Sequence, residues 1–188
     1  MDLTVTPTPL EGVVLIQPHV YPDARGFFLE TWNARDFAAA GLPEHFVQDS
    51  HSRSTRGVLR GLHYQDGTAP LGKLVRCTVG SIFDVAVDLR SGSPTFGQWA
   101  GAELSADNKL QIFIPAGFAH GFQATSEVVE VQYKQTGYYT PSAEGTIAWN
   151  DPHVGVAWPI DEPILSGRDQ QGTPFEHYAQ RPVFHYRR

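Results

Sequence analysis

Hydrophobic positions along this chain come in short runs, and many alternate with polar or small residues. Residues 12–16 are a β-branched run closed by Pro18, residues 26–32 are rich in aromatics, and residues 58–65 alternate. Residues 73–79 and 82–89 are separated by Gly80-Ser81, a pairing that predicts a tight hairpin. Residues 96–104, 110–114, 119–125 and 128–134 continue the pattern, punctuated by Ser91-Gly92-Ser93-Pro94, Ala106-Asp107-Asn108 and Pro115-Ala116-Gly117. One early helix is predicted over residues 34–40: Asn33 caps it, and Gly41 followed by Pro43 ends it. Many short strands with frequent turns predict a sandwich or barrel with few helices. No repeat, low-complexity tract or linker interrupts residues 1–188, so a single domain is expected. Its segment from about residue 150 is Pro-rich and irregular, suited to short helices or a wrapping arm.

Composition narrows the function classes. Hydrophobic residues make up 41 % of 188, enough for a real core, so general disorder is excluded. A formal net charge of −6 disfavours nucleic acid or an anionic membrane as partner, while leaving room for a local basic pocket. The lone cysteine, Cys77, lies in an apolar run; it can form no intramolecular disulfide, and a buried thiol in a reducing compartment is expected. The first residues carry acids and prolines without a basic stretch, and the apolar runs fall far short of the ~20 residues that span a bilayer. A cytoplasmic, soluble protein is the expectation.

Three segments could carry chemistry. In residues 57–65, alternation puts Leu59, Gly61, His63 and Gln65 on one face and Leu62 and Tyr64 on the other. A histidine oriented by a carboxylate is a base at neutral pH; a histidine with a structural role is the competing reading. In residues 82–89, Asp84, Ala86 and Asp88 share a face, pointing either into a lumen or into solvent. Pro115-Ala116-Gly117-Phe118-Ala119-His120 has the shape of the second cupin motif, but His63-Tyr64-Gln65 lacks the second histidine of the first. One or two imidazoles make a poor transition-metal site, so no metal is expected. Tyr133-Lys134 and Tyr138-Tyr139 offer a hydroxyl for general acid chemistry and rings for stacking on a base, or simply core packing. Arg25, Glu30, Arg60, Lys73 and Arg76 are charges close to strand-like sequence; solvation suits each, and convergence on a lumen would suit a diphosphate.

Taken in order, these segments resemble the dTDP-4-dehydrorhamnose 3,5-epimerase family. The stretches that carry the resemblance include Asp23-Ala24-Arg25-Gly26-Phe27-Phe28-Leu29-Glu30, residues 46–54, residues 57–65 and Lys73-Leu74-Val75-Arg76. They continue through residues 83–97, residues 114–122, Tyr133-Lys134, Tyr138-Tyr139, Trp149-Asn150-Asp151-Pro152 and Leu165-Ser166-Gly167-Arg168-Asp169. The resemblance implies a mainly β, cupin-type jelly roll acting as a homodimer without cofactor, with part of each pocket lent by the partner subunit. It implies His63 as general base, Asp169 as its orienting carboxylate, Tyr133 as general acid on the other face of the sugar, and Lys73 at the enolate oxygen. Arg25, Glu30, Gln48, Asp49, Ser50, Arg60, His120, Glu144 and Arg168 match substrate-holding positions, and Tyr139 matches a tyrosine that stacks on thymine. Asp84 is the alternative partner for His63.

The implied reaction epimerises dTDP-4-dehydro-6-deoxy-D-glucose at C3 and C5 to dTDP-4-dehydro-L-rhamnose. A C4 ketone acidifies C3–H and C5–H, so one base, one acid and an oxyanion donor suffice. The chain departs from the family pattern at Ser50, where Asn is frequent, at Arg168, where Lys is frequent, and at Gly72. Those departures keep a C3-only epimerase, or another cupin keto-sugar isomerase, in play.

Overall fold

In the computed structural model, which describes residues 2–186, fifteen strands and two short α-helices form the chain. The strands are β1 Leu3–Pro7, β2 Val14–Pro18, β3 Tyr21–Asp23, β4 Gly26–Phe28, β5 Gln48–Thr55, β6 Leu59–Gln65, β7 Lys73–Val79 and β8 Ser81–Asp88. They continue with β9 Arg90–Ser91, β10 Trp99–Ser105, β11 Gln111–Ile114, β12 Phe118–Ala124, β13 Val128–Gln135, β14 Glu144–Thr146 and β15 Phe184–His185. One sheet runs β1-β2-β11-β7-β13-β5 and the other β10-β8-β12-β6-β14. The two stay separate as a jelly-roll sandwich rather than closing into a barrel. Helix α1, Ala34–Ala39, begins where expected, because the Asn33 side chain accepts from the Arg35 N–H. Helix α2 is Phe175–Gln180. Among the described residues no helix is long and apolar enough to cross a membrane.

Two-residue alternation sorts side chains into three apolar layers. Between the sheets lie Val75, Cys77, Ile114, Val129 and Val131 from one side and Ile82, Ala86, Phe118, Phe122 and Ala124 from the other. Leu62, Val85, Val87 and Leu89 form the outer face of the five-stranded sheet, and Val154, Phe175 and Tyr178 from the C-terminal segment cover it. Phe37 of α1 packs with Ile16, Leu74 and Phe113 on the other outer face. Toward one end of the sandwich the inward positions turn polar. Along β13 they run Val129, Val131, Tyr133, Gln135, and the neighbours opposite on β7 run Cys77, Val75, Lys73. That gradient leaves a cavity where the apolar core stops.

Some local expectations need correction. Gly80-Ser81 does not close a hairpin: β7 and β8 belong to different sheets, and the pair carries the chain from one to the other. Gly80 has φ 72°, and a Cβ there would run into Ser126 and the Val128 carbonyl, so the crossing needs glycine. The strand expected over 26–32 stops at Phe28, and the one expected from Phe96 starts at Trp99. The cause of the second lies with Asp88. Its fully buried carboxylate accepts from Arg90 Nε (2.9 Å) and Nη2 (2.8 Å), Ser93 Oγ (2.6 Å) and Thr95 Oγ1 (2.7 Å), which folds residues 90–97 into a turn.

Burial alone would raise the Asp88 carboxyl, but these donors outweigh it and hold its pKa below the usual value of 3.8. The stability it contributes is therefore present above that value and lost as pH falls through the lower folded one. Asp88→Ala would strand the Arg90 guanidinium, itself largely buried, and is expected to cost about 3–5 kcal/mol. Urea unfolding at neutral pH measures this; a loss under about 1 kcal/mol would show that the turn holds without its carboxylate.

Candidate active site

Strand β6 supplies the first half of the site, through an irregularity that alternation alone does not show. Arg60 opposes Phe122 and His63 opposes His120, so two β6 residues, Gly61 and Leu62, face the single Gly121 of β12. This is a bulge, and it reverses the facing of everything before it. Arg60 and His63 thereby share the inward face, since Phe122 and His120 do. Leu59, which opposes Gln123, points the other way. The expectation that Leu59 and His63 share a face is overturned by that bulge. Gly61 has φ 143°, and a Cβ on it would stand 2.5 Å from the Gly121 Cα, so the approach of the two backbones admits only glycine.

His63 and its carboxylate come from distant parts of the chain. His63 Nε2 lies 2.5 Å from Asp169 Oδ1, and the alternative partner, Asp84, is instead 2.9 Å from His120 Nε2. Burial would raise the Asp169 carboxyl; hydrogen bonds from His63 and Ser166 and the charge of Arg168 outweigh it and leave the pKa low. Ser166 Oγ donates to the far oxygen, Oδ2, at 2.8 Å and accepts from the Asp169 N–H at 3.2 Å. Next to it, the Arg168 guanidinium pairs with Glu144 and lies 3.0 Å from His63 Nε2. Tyr139 Oη donates to the same Glu144 carboxylate at 2.8 Å.

The opposite sheet brings Lys73, Tyr133, Ser50 and Ser52 to the same space, a cavity of about 560 Å3. That volume suits a small-molecule site. Burial lowers the Lys73 ammonium to about 8, partly offset by the charges of Asp84 and Glu144. Burial pushes the Tyr133 phenol well above its ordinary value, and its hydroxyl is 2.9 Å from Ser52 Oγ. His120 is held below the usual histidine value by burial, with Asp84 opposing the shift. Two acceptor atoms here, Asp84 Oδ1 and Gln135 Oε1, are enclosed with no hydrogen-bond partner among the described residues. Among those residues no group of three or more His, Cys, Asp or Glu side chains is placed to hold a metal ion.

Of the residues singled out in the sequence, His63, Asp169, Tyr133, Lys73, Ser50, Arg60, His120, Tyr139, Glu144 and Arg168 line this one cavity. Gln48 stands at its edge, donating to Ser50 Oγ and accepting from the Tyr139 N–H. Arg25, Glu30 and Asp49 do not line it: Arg25 pairs with Asp23 on the exposed β3–β4 hairpin, Glu30 contacts Asn33, and Asp49 pairs with Lys134. Sequence reasoning passed over Ser52, Gln65, Gln135 and Ser166, all lining residues. Ser166 had a legible signal, because Ser-x-x-Asp is the spacing of a reciprocal helix-start cap. Ser52 had a weaker one, lying two residues from Ser50 on the same strand face.

Known proteins share this architecture. The family model for dTDP-4-dehydrorhamnose 3,5-epimerase matches residues 7–177. A dTDP-4-dehydrorhamnose 3,5-epimerase of Pseudomonas aeruginosa is 58 % identical over 88 % of this chain and 92 % of its own length. A dTDP-4-dehydrorhamnose 3-epimerase of Streptomyces niveus is 39 % identical over 89 % of this chain and 82 % of its own. A Legionella pneumophila 3,5-epimerase, solved in complex with dTDP-4-keto-L-rhamnose, superposes with a TM-score of 0.95 over 100 % of both chains at 42 % identity. The chain therefore belongs to the dTDP-4-dehydrorhamnose 3,5-epimerase family.

Proposed function

We propose that this protein is an isomerase that inverts C3 and C5 of dTDP-4-dehydro-6-deoxy-D-glucose, forming dTDP-4-dehydro-L-rhamnose for deoxysugar synthesis. The observation that carries the reading is that the His63–Asp169 pair and the Tyr133 hydroxyl enter one cavity from facing sheets. Inversion needs a base on one face of the sugar ring and an acid on the other. His63 takes the carbon-bound proton, and Asp169 holds the ring and balances the imidazolium. Lys73 places a cation at the ketone oxygen as charge moves onto it, and Tyr133 returns a proton to the opposite face. The substrate's ketone is the electron sink, so the chemistry calls for no cofactor. Relatives bearing the 3,5 name are the more similar; the 3-epimerase of S. niveus is more distant, which favours double inversion.

Substrate holding follows from charge and shape. Arg60 and Arg168 are cations at the cavity wall suited to the diphosphate, with Glu144, Gln48, Ser50 and His120 as further polar contacts. Tyr139, exposed and tethered to Glu144, offers a ring for thymine. A homodimer completes this reading. The β3–β4 hairpin carries Arg25 beside exposed Phe27 and Phe28, and such an apolar patch suits a partner subunit. Arg25, Glu30 and Asp49 would then serve the partner's pocket. A cytoplasmic location fits the buried, unpaired Cys77.

Incubation with dTDP-4-dehydro-6-deoxy-D-glucose in D2O, followed by reductive trapping and NMR, is expected to show deuterium at both C3 and C5 with the L-lyxo product. Deuterium at C3 alone would assign the C3-only activity, and none at either carbon would sink the epimerase reading. With the Lys73 ammonium at about 8, kcat/KM is expected to fall as pH rises through that value, well below the ordinary 10.5. Lys73→Gln should give a low rate without that alkaline limb; a limb unchanged by the substitution would remove Lys73 from the mechanism. Arg25→Ala and His63→Ala subunits should each be nearly inactive alone. Mixed after partial denaturation, they should recover about a quarter of wild-type activity if Arg25 crosses to the partner, because half the dimers would hold one intact pocket. No recovery would place Arg25 with its own subunit.

A further inference from the structure

Tyr133 has to do two things that its surroundings make difficult. As a proton donor it must keep its hydroxyl aimed at a ring carbon, and it must carry negative charge briefly once the proton has left. Burial opposes that charge strongly. The charge of the Asp84 carboxylate acts in the same unfavourable direction. Among the described residues, the single hydrogen bond of the phenol is to Ser52 Oγ, at 2.9 Å.

Strand geometry makes that contact specific. Tyr133 lies directly opposite Ser50 on β5, while Ser52 lies opposite Val131. The phenol therefore leans diagonally along the sheet to reach Ser52 and passes by the hydroxyl beside it. Ser50 makes a different contact, its Oγ accepting from Gln48 Nε2 at 3.3 Å. Ser52 is only partly buried and lines the cavity, so its hydroxyl can turn toward water as well as toward the phenol. A serine hydroxyl both donates and accepts. Donating to the phenol oxygen, it leaves the Tyr133 O–H free to point at a ring carbon, and the same donation holds the phenolate after proton transfer.

We propose that Ser52 is the positioning residue of the general acid: it aims the Tyr133 hydroxyl and then donates to the phenolate. The step balances without another reagent. Tyr133 loses its O–H proton to the enolate carbon as the C–H bond forms and the enolate pair becomes the new bond. The Ser52 O–H stays on the phenolate oxygen, and a proton from water then restores the phenol. The inference rests on the epimerase reading above and deepens it at a residue that reading does not use.

The test compares wild type, Ser52→Ala and Ser52→Thr with dTDP-4-dehydro-6-deoxy-D-glucose in D2O. Formation of inverted product and appearance of deuterium in uninverted substrate are followed together. Base-side exchange needs His63 and Lys73 but not Tyr133. Ser52→Ala should therefore cut kcat for inverted product by about tenfold or more while KM and wash-in stay within about twofold. Ser52→Thr keeps the hydroxyl on a β-branched frame suited to a strand and should restore kcat to within a few-fold. Wild-type inversion by Ser52→Ala, or inversion and wash-in falling together in that variant, would overturn the proposal, the second by showing a packing role. No wash-in by the wild type would instead bring down the epimerase reading itself.

Discussion

The close approach of Gly61 to Gly121 is the contact on which the site depends. Two backbones meet there more closely than any Cβ would allow, and that proximity accommodates the extra residue of the β6 bulge. Without the extra residue, Arg60 and His63 would sit on opposite faces of the sheet, one inside and one outside. With it, a cation and a base point into the same cavity, while Leu62 and Tyr64 keep packing on the outer layer. A single bulge thus brings a guanidinium and an imidazole to one pocket.

The second constraint is that charge inside a sandwich must be compensated. Most of it is: His63 has Asp169, His120 has Asp84, Arg168 has Glu144, and Asp88 has its turn of donors. Part of what stays uncompensated is at or behind the cavity wall; Trp32 Nε1, in the outer layer with Phe37, is the exception. Lys73 carries a lowered pKa, and Asp84 Oδ1 and Gln135 Oε1 lack partners among the described residues. A fold optimised for stability alone would have removed these costs. Those at the cavity agree with a site completed by a polar ligand that offers hydroxyl donors to the two oxygens and an acceptor to the ammonium.

Much of this was legible in the chain. Alternation gave most strands of the two sheets but not β1, β5 or β14, and Asn33 and Gly41 bracketed the early helix. The two open readings of the Asp84 face resolved inward: Ile82 and Ala86 of that face pack in the core between the sheets, and Asp84 and Asp88 are completely buried. What alternation does not contain is which sheet a strand joins. Gly80-Ser81 reads as a hairpin in any local window, and only the competition among distant strands sends β7 and β8 apart. The same holds for the bulge: its signal is one glycine in a strand, which marks a close approach without naming its partner. The pairing of His63 with Asp169 spans 106 residues and lay beyond any spacing rule; the family resemblance supplied it.

Facing sheets also bear on how one pair of groups could invert two carbons. In the D-gluco configuration the hydrogens on C3 and C5 lie on the same face of the ring, either side of the C4 ketone. A base on one wall and an acid on the other therefore meet the same stereochemical demand at both carbons, and one oxyanion contact at O4 serves both enolates. No second set of catalytic groups is required; a small shift of the ring between the walls is enough. On this argument the difference between double and single inversion resides in how freely the sugar shifts, and hence in the residues that hold it. Of the three positions where the sequence reading finds departures from the family pattern, Ser50 and Arg168 line the cavity, and Gly72 precedes Lys73.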